Sequence, residues 1–140
     1  MNIVIDSNVL FSALIRNSST RRLILEHDGT FLFPEQILQE FHKHKEELLT
    51  KSKIPPESFE TLLNLLLSKV LIVHENTLEQ HKTQAKQIVK DIDPDDAMFI
   101  ACALAHPQSI LWTDDRKLKE QEAVPVMNTK EMIRYLEKLK

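Results

Sequence analysis

The sequence predicts an α/β fold in which a central, mostly parallel sheet carries helices on both faces. Short apolar runs rich in β-branched residues, such as Ile3-Val4-Ile5, recur between longer amphipathic segments, so strands alternate with helices along the chain. Right-handed crossovers then cover both sides of the sheet. Two of the runs end in carboxylates, at Asp6 and Asp115, and sheets of this kind place their sites beyond the carboxyl ends of the strands, where the winding reverses. With 140 residues, 42% of them hydrophobic, the chain is long enough for one packed core and short for two. Residues 1–140 are therefore expected to form a single domain.

Asn2 to Asp6 reads as a strand buried on both faces. Val9 to Ile15 reads as a helix, and Ser18-Ser19-Thr20 supplies cap residues for a second helix ending near Glu26. Asp28-Gly29 marks a turn. Phe31-Leu32-Phe33 is a short strand, and Pro34 suits the first turn of a long helix reaching about Thr50, because its missing N–H is not needed there. Pro55-Pro56 break the chain before a helix from Ser58 to Leu67, a strand from Val70 to Val73 and a helix from Leu78 to Ile92. Pro94 opens the next helix, through Ala105. Strands follow at Ser109 to Thr113 and Ala123 to Met127, and Thr129 to Leu139 closes the chain as a helix with Met132, Ile133, Leu136 and Leu139 on its apolar side. No internal repeat, low-complexity tract or linker interrupts this order.

Several function classes are excluded. Gly29 is the only glycine, so the glycine-rich loops that cradle phosphates in P-loop and dinucleotide-binding proteins cannot form. His42 and His44 face different sides of a helix and the other histidines are scattered, which gives no zinc-type spacing. No serine lies in a nucleophile elbow. The lone cysteine, Cys102, sits among Phe99, Ile100, Ala101 and Ala103 and reads as a buried thiol, which suits a reducing cytoplasm. No leader is seen and no apolar stretch approaches the roughly 18 residues of a membrane span, so a cytoplasmic protein without a membrane partner is expected. A net charge of −3 argues against broad wrapping of nucleic acid, though not against a local site. Arg16, Arg21 and Arg22, then Lys43, Lys45, Lys51 and Lys53, then Arg116, Lys117 and Lys119 form three basic clusters. Each is also what a solvated helix face looks like.

Carboxylates remain, and four stand out. A bare Asp6 next to a core is unfavourable by several kcal/mol unless it is paired, hydrogen-bonded or metal-bound. The plain explanation is a helix cap by Asp6 or Ser7. Glu40 lies at the border of the helix face defined by Ile37, Leu38, Phe41 and Leu48, from which it can reach a cleft. Asp96 opens a segment that is apolar nearly all round, with Asp93 and Asp95 competing for its role as site residue, cap or dipole partner. Strand alternation puts Thr113 and Asp115 on one side and Asp114 on the other. Converging acids without basic partners repel one another, and a hard divalent cation such as magnesium or manganese relieves that repulsion. Such an ion would lower the pKa of a water and stabilise charge on a phosphodiester, with Asn8 and Thr113 as supporting polar groups.

These residues resemble a PIN-domain nuclease. The resemblance rests on Asp6-Ser7-Asn8-Val9-Leu10 after the first strand, Glu40 on the helix after Pro34, Asp95-Asp96-Ala97 before Ala101 and Ala103-Leu104, and Trp112-Thr113-Asp114-Asp115, in order over essentially the whole chain. It implies a three-layer α/β/α sandwich and Mg2+- or Mn2+-dependent cleavage of RNA. Asp6, Glu40, Asp96 and Asp115 would hold the metal, with Asp114 as the alternative to Asp115 and Asn8 and Thr113 in support. Many small members are VapC-type toxins, homodimers blocked by a cognate antitoxin, so RNA, an antitoxin and a second copy of the chain are the partners the resemblance implies. Two other readings stand beside it. One is a catalytically silent PIN-like module that binds RNA or protein. The other is a haloacid-dehalogenase-like phosphatase with Asp6 as nucleophile, against which Asn8 stands where a second acid is needed.

Overall fold

The computed structural model describes residues 2–139. Its elements are β1 (Asn2–Ile5), α1 (Ser7–Ile15), α2 (Ser19–Glu26), β2 (Thr30–Pro34), α3 (Glu35–Lys43), α4 (Lys45–Ser52), α5 (Pro56–Ser68), β3 (Val70–Val73), α6 (Glu75–Leu78), α7 (Lys82–Val89), α8 (Ala97–Ala105), β4 (Ser109–Trp112), β5 (Val126–Met127) and α9 (Thr129–Lys138). The strands form one five-stranded sheet in the order β3-β2-β1-β4-β5. Every pairing in it is parallel.

The winding runs outward from β1 to β3, then returns across β1 to β4 and β5. β1 is thus the central strand, with neighbours on both edges and helices on both faces, and Ile3, Val4 and Ile5 are all fully buried. One helical layer holds α8 against β1, β2 and β4, with α6 and α7 packed on α8. This sandwiched position explains why α8 is apolar nearly all round, with Phe99, Ile100, Ala101, Cys102 and Ala103 buried. In the other layer α1 packs on α2, α4 and α5, and α9 packs on α2. The α/β/α sandwich expected from the sequence is the fold observed. No helix among the described residues is long and apolar enough to cross a membrane. Cys102 is buried and unpaired, and burial pushes its thiol up to about 12.

Five elements differ from the sequence expectation, one of them the helix expected from Pro94, which begins at Ala97 after a 3-10 turn. The long helix from Pro34 to about Thr50 is two helices, because His44 leaves the helical path at φ −106°, ψ 15°. No Gly or Pro marks that break. It follows from packing: α3 rests on β2, whereas α4 turns to α1 and α5, and Phe41 and Leu48 are buried on either side of the bend. Pro34 is the last residue of β2 rather than part of α3's first turn. The helix expected from Leu78 to Ile92 is broken into α6, a 3-10 turn at Glu79–His81, and α7. The strand expected from Ala123 pairs only at Val126 and Met127, since Pro125 has no N–H to contribute.

Local chemistry fixes the turns. Gly29 donates its N–H to His27 Nδ1 at 2.7 Å, and a Cβ at Gly29 would lie 2.8 Å from the same atom, so a side chain there would displace the His27 ring. Arg21, which the sequence placed in a basic cluster, is a helix cap. Its Nε donates to Ala13 O at 2.6 Å and its guanidinium NH2 donates to Leu14 O at 3.1 Å, satisfying carbonyls left over at the end of α1. Replacing it with Met keeps the aliphatic stem and leaves those carbonyls unmet. Arg21→Met is expected to lower stability by about 1.5 kcal/mol, read as a lower urea midpoint at unchanged slope.

Candidate metal centre

Three carboxylates from two connections, the turn before α8 and the chain just beyond β4, converge above the carboxyl edge of the sheet. Asp93, Asp96 and Asp115 each offer an oxygen, and those atoms all lie within 4.8 Å of one another. Asp6, only 5% exposed, lies next to them. The meeting point is the gap between β1 and β4, where the winding of the sheet reverses.

Each acid is placed by its own backbone. Asp6 follows the last residue of β1, and its N–H extends the ladder to Trp112 O at 3.2 Å. Its Oδ1 accepts from Val9 N–H at 2.9 Å, capping α1. Its Oδ2 accepts from the hydroxyl of Thr113, which is 1% exposed. The cap foreseen in the sequence is therefore real, and it occupies one oxygen while Thr113 holds the other. A carboxylate oxygen has two acceptor positions, so both remain open to a further ligand. Burial raises the pKa of Asp6, against the lowering effect of Thr113 and Val9, and the charges of Asp114 and Asp115 raise it further.

Asp93 and Asp96 flank a 3-10 turn over Pro94–Asp96 in which Asp96 N–H donates to Asp93 O at 3.0 Å. Residues three apart in such a turn eclipse, so the two side chains come together. Asp93 was one of three acids competing at this point in the sequence, and the structure adds it to Asp96 rather than choosing between them. Its spacing of three from Asp96 across Pro94 was the available signal. Asp95 is exposed and outside the three-acid group. Asp115 caps a second 3-10 turn, Arg116–Glu120, by accepting from Lys117 N–H at 3.1 Å, and its own N–H donates to Thr113 Oγ1 at 3.1 Å.

The other sequence candidates lie differently. Glu40 is exposed on α3 and lines a cleft of about 630 Å³ with Asp96, Ser7, Gln36 and Lys43, but it is not in the three-acid group. Asp114 is turned toward α9, where its two oxygens accept from the N–H and the hydroxyl of Thr129. Asn8 is exposed in the first turn of α1, and its side chain makes no hydrogen bond among the described residues. Arg116 lines a smaller cavity of about 220 Å³ with Asp115 and Lys119.

Crowding is strongest at Asp96. Burial first, then the negative charges of Asp93, Asp6 and Asp115, push its carboxyl up to about 7. Such a proton-hungry cluster of hard oxygen donors suits a divalent cation. It also sets a pH dependence in the metal-free chain. The folded state holds the Asp96 proton more tightly than the unfolded state, so this stabilising contribution is complete below about pH 4 and is lost as pH rises through about 7. Asp96→Asn removes it. In EDTA the variant is expected to melt close to wild type near pH 4 and above it by pH 8; a constant gap across thermal melts in that range would refute the assignment.

The comparisons with known proteins agree with this architecture. Six chains of solved structures match, among them one from the crystal structure of VapBC2 from Rickettsia felis bound to a DNA fragment from their promoter. At 18% identity it aligns with a TM-score of 0.68 over 91% of this chain and 98% of that one, a likeness of fold. No curated protein matches the chain. The PIN domain matches residues 4–137, nearly the full length, and the chain belongs to the PIN domain family.

Proposed function

We propose that this chain is a metal-dependent endoribonuclease and the toxin half of a toxin–antitoxin pair. The observation that carries the reading is the convergence of Asp93, Asp96 and Asp115 beside buried Asp6, at the edge of an open cleft. Asp6, Asp96 and Asp115 would hold magnesium or manganese, joined by Asp93, while Glu40 would act from the cleft wall. Bound there, the ion supplies a Lewis acid that lowers the pKa of a water and stabilises charge on a phosphodiester.

The protein's own residues supply position and charge. Thr113 and the Val9 N–H hold Asp6 still. The Thr113 hydroxyl also receives the Asp115 N–H, so one side chain orients two acids. Lys43 on the Asp96 side and Arg116 on the Asp115 side offer cations to phosphates on either side of the scissile one, in keeping with a local site on an acidic chain. A single-stranded or looped RNA fits an open cleft better than a rigid duplex does. The VapBC2 likeness supports the toxin–antitoxin setting, and with it a cognate antitoxin; a homodimer is what the family resemblance implies. The cytoplasm is the matching compartment.

The phosphatase reading is weaker, because Asn8 offers no acid two residues after Asp6. A silent binding module would need no such concentration of carboxylates. Wild type is expected to cut a mixed structured RNA in manganese or magnesium and not in EDTA. Asp6→Asn and Asp96→Asn, folded by circular dichroism, should slow cutting by about a hundredfold or more. Cutting at the wild-type rate by either variant would overturn the site. Failure of wild type both to cut and to bind Mn2+ in calorimetry would favour the silent module.

A further inference from the structure

Asp114 lies between two residues of the acid centre, yet its carboxylate is bound to another element. Oδ1 accepts from the Thr129 N–H at 2.7 Å and Oδ2 accepts from the Thr129 hydroxyl at 2.8 Å. That hydroxyl in turn accepts from Trp112 Nε1 at 3.0 Å. A relay therefore runs from the fully buried indole at the end of β4, through the first residue of α9, back to the chain two residues later. Because the hydroxyl receives one hydrogen bond and gives the other, each strengthens its neighbour.

Capping of α9 accounts for only one of the two bonds, that from the Thr129 N–H, and not for the bond from the hydroxyl or the indole behind it. Asn128 and Glu131 already form a reciprocal capping box at that end, with Asn128 Oδ1 accepting from Glu131 N–H at 2.8 Å and Glu131 Oε1 accepting from Asn128 N–H at 3.1 Å. What the relay does fix is the path of residues 112–115. Trp112 is anchored by its indole, Thr113 by Asp6, Asp114 by Thr129, and Asp115 by its N–H on Thr113. Without that restraint, repulsion from Asp93 and Asp96 would drive Asp115 outward.

We propose that Asp114 is a positioning residue: its two-point grip on Thr129 holds the chain beyond β4 so that Asp115 reaches Asp93 and Asp96. The inference rests on the reading of those acids as a metal centre. It assigns Asp114 a role through Asp115 and not as a ligand itself, and the two roles differ in what Thr129 should do. If Asp114 bound metal directly, freeing it from Thr129 would leave affinity unchanged or raise it. If Asp114 positions Asp115, freeing it must weaken binding.

The test is Mn2+ affinity by titration calorimetry on the metal-free full chain, at a temperature where each variant is folded. Thr129→Val and Asp114→Asn are each expected to weaken Mn2+ binding about tenfold or more, while Thr129→Ser, which keeps the hydroxyl, retains wild-type affinity. Should Thr129→Val not fold, Trp112→Phe breaks the relay at its far end with Asp114 intact and should shift affinity in the same direction. Unchanged or tighter binding in Thr129→Val, or a lower melting temperature with unchanged affinity in these variants, would overturn the positioning role alone. Absence of Mn2+ binding by wild type would overturn the metal-centre reading, and this role with it.

Discussion

The hydrogen bond from Thr113 to Asp6 ties together the two strands between which the sheet changes direction. β1 and β4 are neighbours in space but separated by most of the chain, and everything above their carboxyl ends depends on their staying in register. Backbone pairing carries that register to Ile5 opposite Trp112. One residue farther on, Asp6 still donates to Trp112, and Thr113 donates its N–H to Met127 O at 3.0 Å, so the ladder runs into the site itself. Asp6 thereby has a rigid seat, with one oxygen on α1 and one on Thr113. The other acids are held by short turns built on this base.

That arrangement opposes two forces. Parallel-sheet topology draws loops to the switch point, while the carboxylates those loops carry repel one another in partial burial. The outcome is visible at Asp96, whose carboxyl is pushed up to about 7 by burial and by its acidic neighbours. Small local devices hold the acids against this repulsion. Asp93 accepts from Asp95 N–H, Asp115 accepts from Lys117 N–H, and Thr113 serves both Asp6 and Asp115. Among the described residues none of these three acids forms an ion pair with a lysine or arginine. A basic partner would relieve the charge permanently, whereas backbone N–H groups orient the acids and leave their charge available to a cation.

The basic residues divide along the same lines. Arg21 is used up in closing α1, and Lys119 pairs with Glu131 on α9. Lys43 and Arg116 stand beside the acids, one in each cavity. Both cations that border the centre come from clusters that follow a suspected acid in sequence, Lys43 three residues after Glu40 and Arg116 directly after Asp115.

Sequence alone determined the layers, the strand order along the chain and which acids stood at strand ends, because hydrophobic period and β-branched runs are local signals that burial on both faces makes strong. It also located Asp6, Asp96, Thr113 and Asp115, since a carboxylate or hydroxyl at the edge of a core calls for a partner wherever the core lies. Tertiary structure alone decided the rest. The bend at His44 has no breaker residue and arises because α3 and α4 pack on different neighbours. Asp93 joined Asp96 because a 3-10 turn, not an α-helix, follows Asp93. Asp114 and Asp115 were separated by a threonine on α9, a contact across 15 residues that no local period encodes. Glu40 stands on the cleft wall, outside the three-acid group. Local periodicity fixes which face a side chain presents, but which other acids it meets depends on contacts between elements far apart in the chain.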